Sequence, residues 1–134
     1  LSEWLSTSLQ HDPASFFERM TPPSFMQWQA HLAAEEKRYL AIQIFTRCRY
    51  YTHRHEIELT CTQSPEHRTD LIPWYEIDRF IKQPIWFGHW ASLKAKEIEG
   101  VYHLDAGAVY GGDLIAIDAR TKERWAQRRV DQDA

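Results

Sequence analysis

Glycine is confined to one short region of this 134-residue chain. All five glycines lie between Gly88 and Gly112. Glycine supplies positive φ angles and allows close backbone approach, so we predict the tight turns of the chain in this region. The patterns of apolar residues described next indicate helices in the N-terminal half and mostly strands in the C-terminal half, so we predict an α+β fold.

The N-terminal half carries helical patterns. Leucines at positions 1, 5 and 9 predict a short amphipathic helix over residues 1–12. Asp12-Pro13 is typical of a helix start, so PASFFERM is predicted to be a second helix, ended by Thr21-Pro22-Pro23. The segment from Ser24 to Arg49 has neither glycine nor proline, and its apolar residues share one stripe. We predict one long helix there, with a strand over IQIFTRCRYY as the alternative.

The remaining patterns predict strands and loops. HEIELTCT alternates, with Ile57, Leu59 and Cys61 on one face, and it is expected to pair with Tyr50-Tyr51 through a turn at residues 53–55. A polar loop follows to residue 70, and PWYEIDRFIK predicts a short helix. IWF, VYHLD and DLIAID predict strands, the last two joined by AGAVYGG, whose Gly-Gly pair suits a tight hairpin turn. ERWAQRRV is either a last strand or an exposed basic end.

Composition limits the class of protein. The chain is 43% hydrophobic, with six Trp, six Tyr and six Phe, and its length suits one domain, which we predict to be residues 1–134. The formal net charge of −3 gives no footprint for nucleic acid or for an anionic membrane. No run is long and apolar enough to span a membrane. Cys48 and Cys61 lack metal-type spacing and are expected to be free thiols, so we expect a reducing, cytoplasmic location.

Local patterns alone suggest little chemistry. His89 follows Gly88 at the end of an apolar run, where either a packed histidine or a metal ligand is possible, and the local pattern favours packing. His53 and His55 favour a solvated turn. FTRCRYY is basic and aromatic, so it suits either phosphate binding or a helix end. Too little is present here to define an enzyme.

Several motifs together resemble a known family. FTRCRYY, PWY at 73–75, FGHWASL at 87–93 and GVYHLDAGAVYGGDL at 100–114 occur in order and with family-like spacing. They are similar to the C-terminal half of bacterial symmetrical diadenosine tetraphosphatases, which are calcineurin-like metallophosphoesterases. The resemblance also extends upstream, through FFERM and Trp28. It implies part of a β-sandwich flanked by helices.

The resemblance also implies an activity and a set of site residues. Family members split diadenosine tetraphosphate into two ADP with two divalent metals, typically manganese or cobalt, and the histidine of F-G-H-W is a ligand. This implies that His89 binds metal. The match implies further site residues. They are Arg47 and Arg49, of which at least Arg47 is expected to contact substrate phosphate; Trp90 and Tyr110, which flank the site for packing or for stacking on adenine; and Asp105, which is expected to fix the loop geometry.

The sequence also departs from the family pattern. Ala106 stands where the family has threonine, and Tyr110 where it has tryptophan. The ligand motifs G-D-x-H-G, G-D-x-x-x-R-G and G-N-H-[DE] do not occur. We therefore expect the C-terminal piece of a longer enzyme, inactive alone and associating with its missing N-terminal half or with itself. The alternatives are a non-catalytic module that binds nucleotides or a partner, or another calcineurin-like phosphatase.

Overall fold

The computed structural model describes residues 2–19, 27–77, 83–94, 97–98 and 100–130. Within these ranges helices come first and short strands follow, so the predicted α+β composition and its division along the chain are confirmed. The helices are α1 (Ser2–His11), α2 (Pro13–Arg19) and α3 (Ala34–Arg47). The strands are β1 (Tyr50–Tyr51), β2 (Ile57–Glu58), β3 (Ile72–Pro73), β4 (Ile85–Phe87), β5 (Glu97–Ile98), β6 (Val101–His103), β7 (Asp105–Ala106), β8 (Asp113–Ile117) and β9 (Arg124–Arg128).

The first two helices lie where the sequence predicted them. Asp12 separates them, and its Oδ1 accepts a hydrogen bond from the Ser15 N–H at 3.1 Å, which caps α2. The predicted stop at Thr21-Pro22-Pro23 lies outside the described residues. The Trp4 ring of α1 contacts Phe16 of α2 at 5.9 Å and Tyr39 of α3 at 6.2 Å. These aromatic contacts join the three helices.

The predicted long helix is wrong for residues 27–33. Ala33 is extended (φ −61°, ψ 158°), and its N–H donates a 2.7 Å hydrogen bond to Glu36 Oε2. That contact satisfies a free N–H at the start of α3 and fixes the first turn there. At the other end Cys48 is extended, so IQIFTR is helical and only Tyr50–Tyr51 of the alternative strand forms.

The first sheet has the order β2-β1-β3 and is antiparallel. Tyr51 pairs with Ile57 across the turn predicted at residues 53–55, where His55 is left-handed (φ 61°). Ile57, Leu59 and Cys61 are buried, as the alternation predicted. The predicted pairing with Tyr50-Tyr51 and the predicted burial of alternate residues are therefore confirmed.

The helix predicted over PWYEIDRFIK does not form in its described part. Residues 72–73 are β3, Trp74–Glu76 make a single 3-10 turn, and Ile77 is extended. The cause is tertiary: Pro73 pairs with Tyr50, and the Trp74 N–H donates to Arg49 O at 3.0 Å. Residues 78–82 lie outside the described residues.

Two further sheets follow. In β4-β6-β5 the pair β4 and β6 is parallel, with Phe87 opposite His103, and in β7-β8-β9 all pairs are antiparallel. The predicted strand VYHLD is therefore split at Leu104 between two sheets. The predicted tight Gly-Gly turn is also wrong, because residues 107–112 form a wider loop with one 3-10 turn between left-handed Gly107 and Gly111. β9 confirms the strand interpretation of the tail, and all its side chains are exposed.

The core lies between the first sheet and the segment after β4. One buried cluster comprises Tyr50, Cys61, Tyr75, Trp90, Leu93 and Val101, and a second comprises Leu32, Leu40, Ile57 and Leu59. Cys48 and Cys61 are free thiols, as predicted. No helix among the described residues is long and apolar enough to cross a membrane.

Candidate functional site

An open cleft of about 610 Å³ lies where β4 and β6 end. Its walls are the segment 89–92 and the loop 105–112, with Arg49 and Thr62 at the side. Because β4 and β6 are parallel, their carboxyl ends reach the same edge, which brings the residues after each strand together. A Cβ added to Gly88 would lie 3.8 Å from Asp105 Cβ. The topology therefore joins two motifs that the sequence separates.

His89 is exposed in this cleft. Its backbone is left-handed, with φ 62°, a conformation rare for residues other than glycine. We expected the preceding glycine to supply the turn, but Gly88 is not among the positive-φ residues. The His89 carbonyl oxygen accepts a 2.8 Å hydrogen bond from Arg49 Nη2. An exposed imidazole at a strand end is available as a ligand or a proton carrier.

The two candidate arginines lie in different places. Arg49 lines the cleft, and its Nε is buried without a hydrogen-bond partner in the described part of the chain. Arg47 is the last residue of α3, is exposed and does not line the cleft, and its Nη1 contacts Gln43 Oε1 at 3.4 Å. A helix end therefore directs Arg47 elsewhere, and the arginine at the cleft is Arg49.

The Trp90 side chain is part of the core. It is 1% exposed, and its ring contacts Tyr50 at 4.9 Å and Tyr75 at 6.0 Å. Its Nε1–H donates to Gln63 O at 3.3 Å. Of the two roles considered for Trp90, these contacts favour packing over stacking on a ligand. Burial also raises the pKa of neighbouring Tyr75 to about 12, so its hydroxyl stays neutral at physiological pH.

The loop 105–112 forms the opposite wall. Asp105 Oδ1 accepts a 2.9 Å hydrogen bond from the Gly107 N–H, a contact that fixes the start of the loop. Gly112 packs so closely that an added Cβ would lie 2.0 Å from Ala106 O. Tyr110 is 84% exposed at the loop tip. This ring is free to contact a ligand that enters the cleft.

Sequence reasoning did not identify three polar residues of the cleft. Thr62, Ser92 and Lys94 line it, and Ser92 Oγ donates to Thr62 O at 2.7 Å. Lys94 adds a second cation on the same side as His89. In the sequence, proximity to F-G-H-W was the only signal for Ser92 and Lys94. Thr62 had no such signal, because its loop reaches the cleft through tertiary contacts.

The cleft does not hold a full two-metal ligand set. Two divalent metals need several histidine and carboxylate ligands. Among the described residues there is no group of three or more His, Cys, Asp or Glu side chains that could hold a metal ion. His89 can serve as one ligand, while one oxygen of Asp105 is engaged by Gly107. A two-metal site does not form from these residues alone.

The geometry brings two cationic side chains, Arg49 and Lys94, into one cleft with the exposed His89 and the carboxylate of Asp105. Comparison with known proteins is more specific. The chain is 34% identical over 124 residues to "Bis(5'-nucleosyl)-tetraphosphatase, symmetrical" of Glaesserella parasuis serovar 5 (strain SH0165), covering 90% of this chain and 46% of that relative. It is 32% identical over 111 residues to the protein of the same name from Yersinia pseudotuberculosis serotype O:1b (strain IP 31758), covering 80% and 38%.

The resemblance stated from the motifs is thereby confirmed. Over most of its own length the chain is homologous to the symmetrical bis(5'-nucleosyl)-tetraphosphatases. It spans less than half the length of these curated relatives. No family model matches the chain.

Proposed function

We propose that this chain is the C-terminal part of a metal-dependent hydrolase that splits diadenosine tetraphosphate symmetrically into two ADP molecules. The substrate class follows from the names of the relatives. On the same basis we propose the calcineurin-like sandwich as the complete fold, and two divalent metals, manganese or cobalt, as its cofactors.

One observation carries the phosphate-binding part of the proposal. Arg49 lines the cleft and keeps a buried Nε–H without a partner among the described residues. A buried unpaired donor costs free energy, about 1–3 kcal/mol, and a phosphate oxygen would satisfy it. Lys94 supplies a second positive charge to the same cleft. We assign the contact to Arg49, in place of Arg47, which the sequence favoured.

We propose that His89 is one metal ligand and that the other ligands lie outside this chain. Its exposure in the cleft supports this role. The chain spans less than half the length of its relatives, and we place the remaining ligands in the part of those proteins that it does not cover. The chain alone is therefore expected to be inactive.

The test joins the chain to the part of the Glaesserella parasuis relative outside the matched region. With manganese, the 134-residue chain alone should leave diadenosine tetraphosphate intact, and the joined protein should release ADP. His89→Asn should abolish turnover of the joined protein. The matched control is His55→Asn, because His55 is also left-handed and exposed but lies in the β1–β2 turn. Unchanged turnover in His89→Asn would exclude His89 from the metal site, and a joined protein without activity would contradict the proposed reaction.

A second candidate function is nucleotide or partner binding without catalysis. Phe45 is 80% exposed on α3, and Arg47, two residues further along the same helix and so on another side of it, is exposed as well, away from the cleft. Either side chain could contact a nucleotide without any metal, Phe45 by stacking on the base and Arg47 through the phosphate. ADP titrated into labelled chain discriminates the two: shifts at Phe45 and Arg47 favour the module, and shifts at Arg49 and His89 favour the enzyme cleft.

A further inference from the structure

We propose that Arg49 is a positioning residue: it holds the left-handed turn at His89 and thereby keeps the imidazole directed into the cleft. The phosphate contact proposed above uses other donors of the same guanidinium. The role of the imidazole as a metal ligand rests on the proposed function, whereas its positioning by Arg49 does not.

The backbone at His89 needs support that its neighbours do not supply. A left-handed backbone is unfavourable for any residue that carries a Cβ. Among the described residues three others share this conformation, and each is closed by a local backbone hydrogen bond. These bonds are His55 N to Thr52 O, Lys94 N to Ala91 O and Lys122 N to Asp118 O. In the described part of the chain no such local bond closes the turn at His89.

The contact at His89 comes instead from 40 residues away. Arg49 Nη2 donates to the His89 carbonyl oxygen at 2.8 Å. A hydrogen bond from a charged donor is stronger than one between neutral groups, and it offsets the cost of the left-handed turn. Strain of this kind persists where the surroundings determine the conformation.

Arg49 is well placed to act as a fixed donor. Its carbonyl accepts from the Trp74 N–H at 3.0 Å, and the next residue, Tyr50, is fully buried in β1. The backbone of Arg49 is thus anchored on the first sheet, while His89 follows β4 of the second. Nearby hydrogen bonds from Trp90 to Gln63 and from Ser92 to Thr62 hold the residues after the turn. The Arg49 contact is the one that acts on the turn itself.

The test measures the His89 backbone by NMR in the full 134-residue chain without metal. A left-handed residue gives a strong intraresidue Hα–HN cross-peak. Arg49→Met should weaken that cross-peak at His89 because the donor is lost, and Arg49→Lys should restore it in part. The matched control is Arg47→Met, which removes an arginine outside the cleft and should leave the His89 signals unchanged. If Arg49→Met does not fold, Arg49→Gln, whose amide is too short to reach, replaces it.

A second readout separates this inference from the proposed function. Manganese is added to the joined protein described above, which supplies the remaining ligands, and the broadening of the His89 ring signals is measured. The joined protein with Arg49 should show it, Arg49→Met should show several-fold less at the same manganese concentration, and Arg49→Lys should recover. No broadening in the joined protein would contradict His89 as a ligand, and the backbone readout in the 134-residue chain would still decide on Arg49. A cross-peak in folded Arg49→Met or Arg49→Gln as strong as the parent's would overturn the positioning role.

Discussion

At the scale of single residues, His103 is the most unusual buried group. It is 2% exposed in β6, its ring contacts Phe87 at 4.7 Å, and neither ring nitrogen has a hydrogen-bond partner in the described part of the chain. Burial lowers the pKa of His103, with Arg124 acting in the same direction and Asp105 opposing it. No local pattern distinguishes His103 from the exposed histidines.

This burial makes stability depend on pH. The unfolded chain binds a proton at His103 near pH 6.5, and the folded chain binds it only at lower pH, so protonation favours unfolding as pH falls through 6.5. For one group, the free energy of unfolding at pH 5.5 is lower than that at pH 7.5 by at most about 1.4 kcal/mol. Urea unfolding of His103→Leu should show a smaller loss between these pH values. The control His53→Leu, at an exposed site, should keep the parent's dependence, and an undiminished loss in His103→Leu would contradict the assignment.

At the scale of elements, the start of α3 has only one of the two hydrogen bonds of a capping box. Ala33 is at the N-cap position with extended backbone, and Glu36 accepts its N–H, but alanine offers no side-chain acceptor. Ala33→Ser should complete the reciprocal pair and raise the free energy of unfolding by about 0.5–2 kcal/mol. Chemical denaturation measures this. Ala30→Ser, outside the helix, is the control, and an equal gain in both variants would argue against capping.

The elements also show what the sequence could and could not predict. Local signals were sufficient where the determinant was local: Asp12 caps α2, and the alternation of Ile57, Leu59 and Cys61 gave the buried face of β2. They failed where a distant partner decided. Pro73 became a strand residue because Tyr50 pairs with it. The start of α3 is different: it is set by a local contact, between the Ala33 N–H and Glu36, that the pattern of apolar residues does not reveal. The cleft was predictable only in part, because a distant partner decided there as well. The F-G-H-W motif is recognisable in the sequence, but the contact of its histidine with Arg49 joins residues 40 positions apart.

At the scale of the whole molecule, Trp90 joins the parts. It touches Tyr50 of the first sheet and Tyr75 of the 3-10 turn, and it follows the turn that carries His89. Trp90→Ala should cost about 3–5 kcal/mol, a large share of the stability of a domain of this size. Trp125→Ala, at a half-exposed tryptophan on β9, should cost about 1 kcal/mol or less. Thermal unfolding of both variants gives the comparison, and similar losses would contradict the central role of Trp90.

The left-handed backbone at His89 has a consequence for how this sequence could change. Glycine occupies that conformation without strain, so His89→Gly should be more stable than His89→Ala by about 1 kcal/mol in urea unfolding. Equal stabilities would show that the turn carries no strain. Selection for stability alone would therefore replace the histidine with glycine. The histidine at this position therefore lowers the stability of the chain, and in exchange it places an imidazole in the cleft.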